Sequence, residues 1–201
     1  NFTMSGAELI ANNSLSDFAL VKLHNEIPGS WDVAFAGWDN TDNLPSMEVG
    51  IHHPNGDIMK ICRDDSGAVK ENANGIDVWL IGGVSVGTGD GWEIGTTESG
   101  SSGSPLFNED GKIIGQLYAG QAFCDGVENN KDYDIYGRFG TSWEAGQTSS
   151  ARLKDWLDPN NTGQTTTETL QNVLSTQEFD DTGTLDIYPN PATKELSIIA
   201  S

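Results

Sequence analysis

The chain has 201 residues, which is enough for one sizeable hydrophobic core and a smaller appendage. Its 30 acidic residues against 10 basic ones give a net charge of −20, which repels nucleic-acid phosphates and anionic lipid headgroups. No apolar run approaches the ~20 residues that a membrane-spanning helix needs. We therefore expect neither a nucleic-acid partner nor membrane insertion, and the scattered acidic residues indicate a solvated surface.

The elements predicted along the chain are mostly strands. Short apolar segments are separated by turn sequences such as NEDG and HPNGD, which favours an antiparallel barrel or sandwich. The segments are residues 18–23, 33–38, 49–53, 77–83 and 112–120. One helix is predicted over residues 148–159, because Leu153, Trp156 and Leu157 recur at helical spacing before a proline.

The composition changes beyond the predicted helix. Residues 159–184 are polar and rich in threonine, with too few apolar side chains for a core, which is typical of a linker. Residues 185–201 are strand-like again, with YPNP as a rigid turn between two alternating apolar segments. We therefore predict a domain over residues 1–158, a linker over residues 159–184 and the truncated start of a second domain over residues 185–201.

The sequence GTTESGSSGSPLF, residues 95–107, predicts an ordered turn rather than a flexible linker, because it continues directly into apolar residues and a strong strand. Its glycines allow backbone amides to turn inward at conformations that side chains resist. A serine at the centre of such a turn can attack a carbonyl carbon while the amides stabilise the negative oxygen. Taken without its context, the Gly-X-Ser-Gly-X-Pro pattern is equally compatible with a structural turn.

Two other kinds of site are not favoured. A phosphate-binding glycine loop needs a lysine or a helix start after the glycines, and Pro105 followed by a strand supplies neither. His52 and His53 are close in sequence to Asp57, but neighbouring residues of a strand point to opposite faces, so the two rings cannot easily share a metal ion. We therefore expect neither a metal nor a cofactor.

The segments DFALVKL (residues 17–23), AGWDNTD, IHHPNGD, TESGSSGSPLF, IIGQLYAG, YGRFGTSW and RLKDWLDP follow one another over most of residues 14–159. In this order they resemble the secreted bacterial lysyl endopeptidases, a branch of the chymotrypsin-like (trypsin-like) serine proteases. The resemblance implies an all-β, chymotrypsin-like double β-barrel, with the second barrel essentially complete, the first mostly missing and one C-terminal α-helix. It also implies a serine endopeptidase that cleaves after basic residues, without a cofactor, as a monomer.

By this resemblance, Ser102 is the catalytic nucleophile, Asp17 is the aspartate of the catalytic triad, and the amides of Gly100 and Ser102 form the oxyanion hole. The family's triad runs His, Asp, Ser along the chain, which places the general base before Asp17. The first sixteen residues contain no histidine. The resemblance therefore indicates an incomplete piece of a longer gene product, with the catalytic histidine upstream of Asn1.

The three histidines that the chain does contain are His24, His52 and His53. His24 is most simply a surface residue, and His52 with His53 a packed or turn-capping pair. The order Asp17, His52, Ser102 matches the triad order of subtilisins. No other segment resembles subtilisins, however, and the lysyl endopeptidase resemblance places the HHP sequence on the second barrel, away from the catalytic histidine.

The resemblance also implies a primary specificity pocket between the strand IIGQLYAG and the returning segment DIYGRFG. A carboxylate at the base of such a pocket selects a cationic side chain, because breaking a buried charge pair costs ~3–5 kcal/mol. In the family, this aspartate lies two residues before Tyr-Gly-Arg, a position that Asp134 occupies here. Asp132 is the neighbouring alternative for this role. A further alternative is that Asp134 is a solvated acidic residue of a loop, without a role in substrate binding.

Two further substrate-binding residues follow from the resemblance. A tryptophan and a histidine of the family pack beside the catalytic histidine. Trp79 matches the tryptophan by its spacing to Ser102, whereas Tyr118 occupies the position of the histidine. Because of this departure, we expect cleavage after Lys or Arg rather than strictly after Lys.

The two cysteines, Cys62 and Cys124, leave several pairings open. The resemblance implies that both pair with cysteines upstream of Asn1, so that both would be free thiols in this chain. The competing pairing is a disulfide between Cys62 and Cys124, which requires their Cα atoms to come within ~7 Å.

The sequence LDIYPNPATKELSI near the end resembles the start of the carboxy-terminal sorting domains of the type IX secretion route. This implies a secreted or outer-surface protein that meets the type IX secretion machinery and acts on protein or peptide substrates. Two other functions stay open: a protease-like binding module that has lost catalysis, and a structural protein attached to the cell surface.

Overall fold

The structure is a computed structural model, which describes residues 2–171 with their side chains and residues 185–188 and 197–200 as strands. It divides into two units, Asn1–Leu170 and Gln171–Ser201. The second unit contains an antiparallel pair formed by Leu185–Tyr188 and Ser197–Ala200, as predicted from the two apolar segments. The predicted YPNP turn between them and residues 172–184 of the predicted linker lie outside the described residues.

The described chain is built mainly of strands. They are β1 (Ala7–Asn13), β2 (Phe18–Leu23), β3 (Ala34–Phe35), β4 (Glu48–His52), β5 (Lys60–Asp64), β6 (Val69–Ala73), β7 (Ile76–Ile81), β8 (Pro105–Asn108), β9 (Ile113–Gly120), β10 (Cys124–Asp125), β11 (Glu128–Asn129), β12 (Asp134–Arg138), β13 (Leu170–Gln171), β14 (Leu185–Tyr188) and β15 (Ser197–Ala200). Two short α-helices, α1 (Phe139–Glu144) and α2 (Lys154–Leu157), follow β12, and 3-10 turns cover Gly29–Trp31, Pro54–Gly56 and Ser149–Ala151. Among the described residues, no helix is both long and apolar enough to cross a bilayer.

A seven-stranded antiparallel sheet, in the order β5-β4-β8-β9-β12-β7-β6, forms the centre of the first unit. The predicted all-β class is confirmed, and the described strands form an open sheet with β5 and β6 at its edges. Strands β1 and β2 form a separate hairpin with a register shift between Leu9 and Ala11.

Two apolar clusters fill the interior. The larger lies on the sheet and consists of Cys62, Ala68, Trp79, Ile81, Trp92, Leu106, Ile114, Leu117 and Tyr136. The smaller consists of Ala11, Phe18, Trp38, Phe139, Trp143 and Leu153, and so joins the β1–β2 hairpin to α1. The rings of Trp38 and Phe139 stack with their centroids 5.6 Å apart. This second cluster holds the hairpin, which carries Asp17 in its turn, against the rest of the unit.

The helical region differs from its prediction. Within residues 148–159, a 3-10 turn and α2 are separated by Arg152, whose backbone is extended at φ −151° and ψ 156°. The longer helix, α1, lies in the segment FGTSWE, for which no helix was predicted. Its glycine, threonine and serine are weak helix formers, and the packing of Phe139 and Trp143 on Trp38 stabilises it instead.

Part of the predicted linker belongs to the first unit. The Thr167 amide donates to the Trp38 carbonyl at 2.9 Å, and the Asn40 amide donates to the Thr165 carbonyl at 3.0 Å. The Gly37 amide donates to Thr169 Oγ1 at 3.1 Å. The polar composition of these residues therefore reflects hydrogen bonding along an exposed edge, and the unit ends at Leu170 rather than at residue 158.

Glu48 lies fully buried opposite Asp64 in the β4–β5 pair, so two carboxyl groups share the interior. Burial raises the pKa of Glu48 to about 8, and the Asp64 carboxyl adds to this increase, although a hydrogen bond from the Ala68 amide lowers the pKa. A carboxyl whose pKa is higher in the folded than in the unfolded state loses its contribution to stability as the pH rises towards the folded value. The free energy of unfolding should therefore fall between pH 4.5 and about 8.

Glu48→Gln should make this fall smaller, because glutamine keeps the hydrogen-bond acceptor but cannot ionise. Urea unfolding followed by tryptophan fluorescence at several pH values measures the effect. Glu71→Gln, on an exposed position of β6, is the matched control and should behave like the original protein. An unchanged pH dependence in Glu48→Gln would place the titrating group elsewhere.

Candidate active site

The turn around Ser102 lies in the long connection between β7 and β8 and ends where β8 begins at Pro105. The Ser101 amide donates to the Glu98 carbonyl at 3.0 Å, and the Ser104 amide donates to the Ser101 carbonyl at 3.0 Å. The Gly103 amide donates to the Leu117 carbonyl of β9 at 2.8 Å. These bonds give an ordered turn, as predicted, with the Ser101 side chain buried and Ser102 exposed.

The backbone N–H groups of Gly100 and Ser102 are the two that the resemblance assigns to an oxyanion hole. Gly100 adopts φ +90°, a conformation that a side chain would strain. Within residues 2–171, neither the Gly100 amide nor the Ser102 amide donates a hydrogen bond to another backbone carbonyl. Two free donors next to a nucleophile are what an oxyanion hole requires. The oxyanion-hole roles of Gly100 and Ser102 stay a prediction.

Among the described residues, none of the three histidines hydrogen-bonds to Ser102. His24 is exposed at the end of the β1–β2 hairpin. His53 is exposed, and its Nδ1 donates to the Asp57 carbonyl at 3.1 Å. His52 is 2% exposed, and its Nδ1 shares a hydrogen bond of 2.8 Å with Ser101 Oγ. The subtilisin-like order Asp17, His52, Ser102 is thus not realised in space, because the ring of His52 is bound to the neighbouring serine.

Asp134 begins β12 directly opposite Gly120 of β9. The carboxyl group is buried, and Oδ2 accepts hydrogen bonds of 2.7 Å from Trp92 Nε1 and of 2.7 Å from Thr97 Oγ1. A Cβ atom on Gly120 would overlap the Asp134 carboxylate, so a glycine is required there. Burial raises the pKa of Asp134 to about 6, although the hydrogen bonds from Thr97 and Trp92 lower it.

A cleft of about 300 Å³ brings Asp134 and Tyr118 together with Ser102, the predicted nucleophile. It is lined by Thr97, Glu98, Ser99, Ser102, Leu117, Tyr118, Ala119, Gly120, Ala122 and Asp134. Strand β9 supplies residues 117–120 of this lining, and β12 supplies Asp134. In the described part of the chain, no group of three or more His, Cys, Asp and Glu side chains converges as metal ligands.

Of the three other residues that were considered for the pocket, Tyr118 lines the cleft, whereas Asp132 and Trp79 do not. Tyr118 lines the cleft and is half-buried, and its substrate contact stays a prediction. Asp132 lies outside the residues that line it, and its carboxylate accepts a hydrogen bond from Ser85 Oγ instead. Trp79 is fully buried in the sheet core, where Nε1 donates to the Ile114 carbonyl at 3.0 Å. The predicted substrate contact of Trp79 is therefore corrected to a packing role.

Asp17 occupies the turn that joins β1 to β2, directly before the apolar strand, as predicted. Its backbone has φ +54°, and its side chain is exposed. Together with Gly103, the residue after the nucleophile, it lines an open cleft of about 390 Å³. The structure thus places the predicted triad aspartate and the nucleophile turn at one cleft, without direct contact between them.

The cysteines are both free, as predicted for this chain, and the competing Cys62–Cys124 disulfide is absent among the described residues. Cys124 is exposed. Cys62 is fully buried in the sheet core, and burial raises the pKa of its thiol well above the usual range. The pairing of either cysteine with a cysteine upstream of Asn1 stays a prediction.

Sequence reasoning did not identify Trp92 and Thr97, which hold the Asp134 carboxylate. The only signal was their place in the glycine-rich segment GTGDGWEIGTT directly before the nucleophile turn. Residues 92 and 134 are distant in sequence, so only the folded sheet shows that the indole meets the carboxylate. Likewise, the hydrogen bond between His52 and Ser101 follows from the packing of β4 beside β8.

Thr97→Val should raise the pKa of Asp134 further above about 6, because valine removes a hydroxyl that donates to the ionised carboxylate. Carbon-13 NMR titration of the aspartate carboxyl groups measures the shift. Thr97→Ser keeps the donor and is the matched control. An equal pKa in the valine variant and the original protein would show that this hydrogen bond does not hold the ionised form.

Comparison with known proteins shows to which family the chain belongs. Among solved structures, the active form of the Rv3671c protease from M. tuberculosis is 18% identical over 72% of this chain and 58% of that chain, with a TM-score of 0.43. Its inactive form is 15% identical over 66% of this chain and 60% of that chain, with a TM-score of 0.39. The chain thus spans less than two thirds of these proteins. The family model described as "Lysyl endopeptidase, C-terminal domain" matches residues 1–137, well over half of the sequence, and the chain therefore belongs to this family.

Proposed function

We propose that the chain is part of a secreted serine endopeptidase that hydrolyses peptide bonds after Lys or Arg. The single observation that carries the proposal is the shared cleft, in which the exposed Ser102 lies at one part of the lining and the buried Asp134 carboxylate at another. A nucleophile with free amides beside it and an anionic pocket within the same cleft suit a substrate with a cationic side chain next to the scissile bond.

In the proposed reaction, Ser102 Oγ attacks the carbonyl carbon of the scissile bond, and its proton passes to a histidine base. The amides of Gly100 and Ser102 stabilise the negative oxygen that forms. The C–N bond then breaks, the base returns the proton to the leaving amine, and an acyl group remains on Ser102. Water, deprotonated by the same base, releases the acid and restores the hydroxyl.

The base is proposed to come from sequence that precedes Asn1. The positions of the three histidines support this proposal, since none of them hydrogen-bonds to Ser102 among the described residues. Asp17 would orient that histidine from the open cleft that it shares with Gly103. The description of the family as a C-terminal domain supports the same arrangement. Export through the type IX route, with residues 185–201 as the start of the sorting domain, is part of the proposal and rests on the sequence resemblance.

A fluorophosphonate probe should label Ser102 in the full-length protein, because only a base-activated serine beside an oxyanion hole reacts quickly. Mass spectrometry of the labelled peptide identifies the site. Ser102→Ala should abolish labelling, whereas Ser104→Ala, two residues further along the turn, should retain it. Labelling that survives Ser102→Ala would contradict the assignment. A protein that binds basic peptides without being labelled would be a binding module that has lost catalysis.

Asp134→Asn should lower kcat/KM for Lys and Arg substrates by about 10²-fold or more, as expected from the ~3–5 kcal/mol that an unpaired buried charge costs. Asparagine keeps an oxygen that can accept hydrogen bonds from Trp92 and Thr97 but removes the charge. Ser102 should still react with the probe, since the nucleophile is untouched. Asp132→Asn is the matched control, and loss of basic preference there rather than in Asp134→Asn would transfer the role to Asp132.

A further inference from the structure

The segment His52–Gly56, here called the brace, contacts the nucleophile turn at three points. His52 Nδ1 and Ser101 Oγ share a hydrogen bond of 2.8 Å. The Asn55 amide donates to the Ser99 carbonyl at 2.7 Å, and Asn55 Nδ2 donates to Glu98 Oε2 at 2.7 Å. The contacts involve residues directly before Ser102. The brace therefore holds the part of the turn that leads into Ser102.

The conformation of the brace suits this contact. Strand β4 ends at His52, and the buried Pro54 opens a 3-10 turn. Within that turn, Asn55 has φ +51°, in the left-handed region that favours asparagine and glycine. This conformation directs the Asn55 backbone amide at Ser99. Gly100 packs on the same turn, since a Cβ atom added to it would lie 3.4 Å from the Asn55 nitrogen.

His52 is an unusual residue for a purely structural position. It is 2% exposed, and its Nε2 has no hydrogen-bond partner within residues 2–171. Leaving a buried ring nitrogen unpaired is unfavourable by ~1–3 kcal/mol. Burial also lowers the pKa of His52, so that the ring is neutral at neutral pH. An apolar side chain would avoid this cost but could not bind Ser101.

We propose that His52 and Asn55 are positioning residues, which hold Ser101 and Ser99 so that the amides of Gly100 and Ser102 face the negative oxygen of the transition state. This inference rests on the proposed function. Neither residue touches the substrate in this arrangement, and both act through the turn. Because an oxyanion hole works only when its donors are fixed before charge develops, a loosened turn should slow the chemical step and leave binding in the Asp134 pocket unchanged.

The first test compares His52→Phe with His53→Phe in the full-length protein. His52→Phe should lower kcat by about 10²-fold, the loss that a displacement of ~1 Å can cause. KM and competitive inhibition by n-butylamine, which fills only the specificity pocket, should change less than about twofold, because pocket binding of an amine does not use the oxyanion hole. His52→Asn can place a polar atom near the Nδ1 position and should recover part of kcat. His53→Phe should match the original protein.

The second test uses Asn55→Gly, which also serves if His52→Phe does not fold. Glycine keeps the left-handed backbone and the bond to Ser99 but removes the amide that binds Glu98. We expect kcat to fall about 10-fold, which corresponds to the loss of one hydrogen bond to a charged group. Asn74→Gly, at φ +56° in the β6–β7 turn, is the matched control and should leave kcat unchanged.

Amide hydrogen exchange over residues 98–103 measures whether the brace orders the turn, independently of turnover. Faster exchange in His52→Phe than in His53→Phe supports the proposal, and equal exchange overturns it. An active protein whose kcat is unaffected by His52→Phe and Asn55→Gly also overturns it. If the unmodified protein neither hydrolyses basic substrates nor reacts with the probe, the proposed function fails, and the exchange experiment still decides whether the brace orders the turn.

Discussion

Burial of the Asp134 carboxylate is the constraint on which the site depends. An ionised group that is removed from water must be compensated by hydrogen bonds. Here Trp92 and Thr97 each donate one hydrogen bond to Asp134 Oδ2. Those two donors lie on the connection between β7 and β8, so satisfying the carboxylate fixes the course of that connection. The connection then continues directly into the turn that carries Ser102. The positions of the Asp134 carboxylate and of Ser102 are thus coupled through one buried carboxylate.

The nucleophile turn is held from two opposite sides of its sequence. After Ser102, the Gly103 amide and the Ser104 carbonyl bond to Leu117 of β9. Before it, Ser99 and Ser101 bond to the brace. The residues that bind the turn on each side belong to a strand or turn of the same unit. The sheet therefore holds the turn in place. Under the proposed function, the donors would already be oriented when charge develops, which is how preorganised electrostatic stabilisation operates.

Several features of this arrangement were accessible from the sequence. The apolar segments 49–53, 77–83 and 112–120 correspond to β4, β7 and β9. Short apolar segments bounded by turn residues are typical of strands, so they can be predicted from the sequence. The Gly-Ser turn was predicted to be ordered for the same reason. Helix α1 was missed, since its stability comes from the contact of Phe139 and Trp143 with Trp38 rather than from helix propensity. Trp79 was placed at the substrate by spacing alone, and spacing carries no information about which face of a strand is covered.

By itself, the sequence determined the all-β class and the family. The resemblance to that family predicted Ser102, Gly100 and Asp134 as site residues, because the motifs that carry them are local. Only the tertiary structure decided that Asp134 rather than Asp132 lines the cleft with Ser102, and that His52 binds Ser101 instead of acting as a base. The physical reason is the antiparallel sheet. Its register places residue 134 opposite residue 120 and brings β4 beside β8, and such long-range pairings are set by the packing of the whole unit rather than by any one segment.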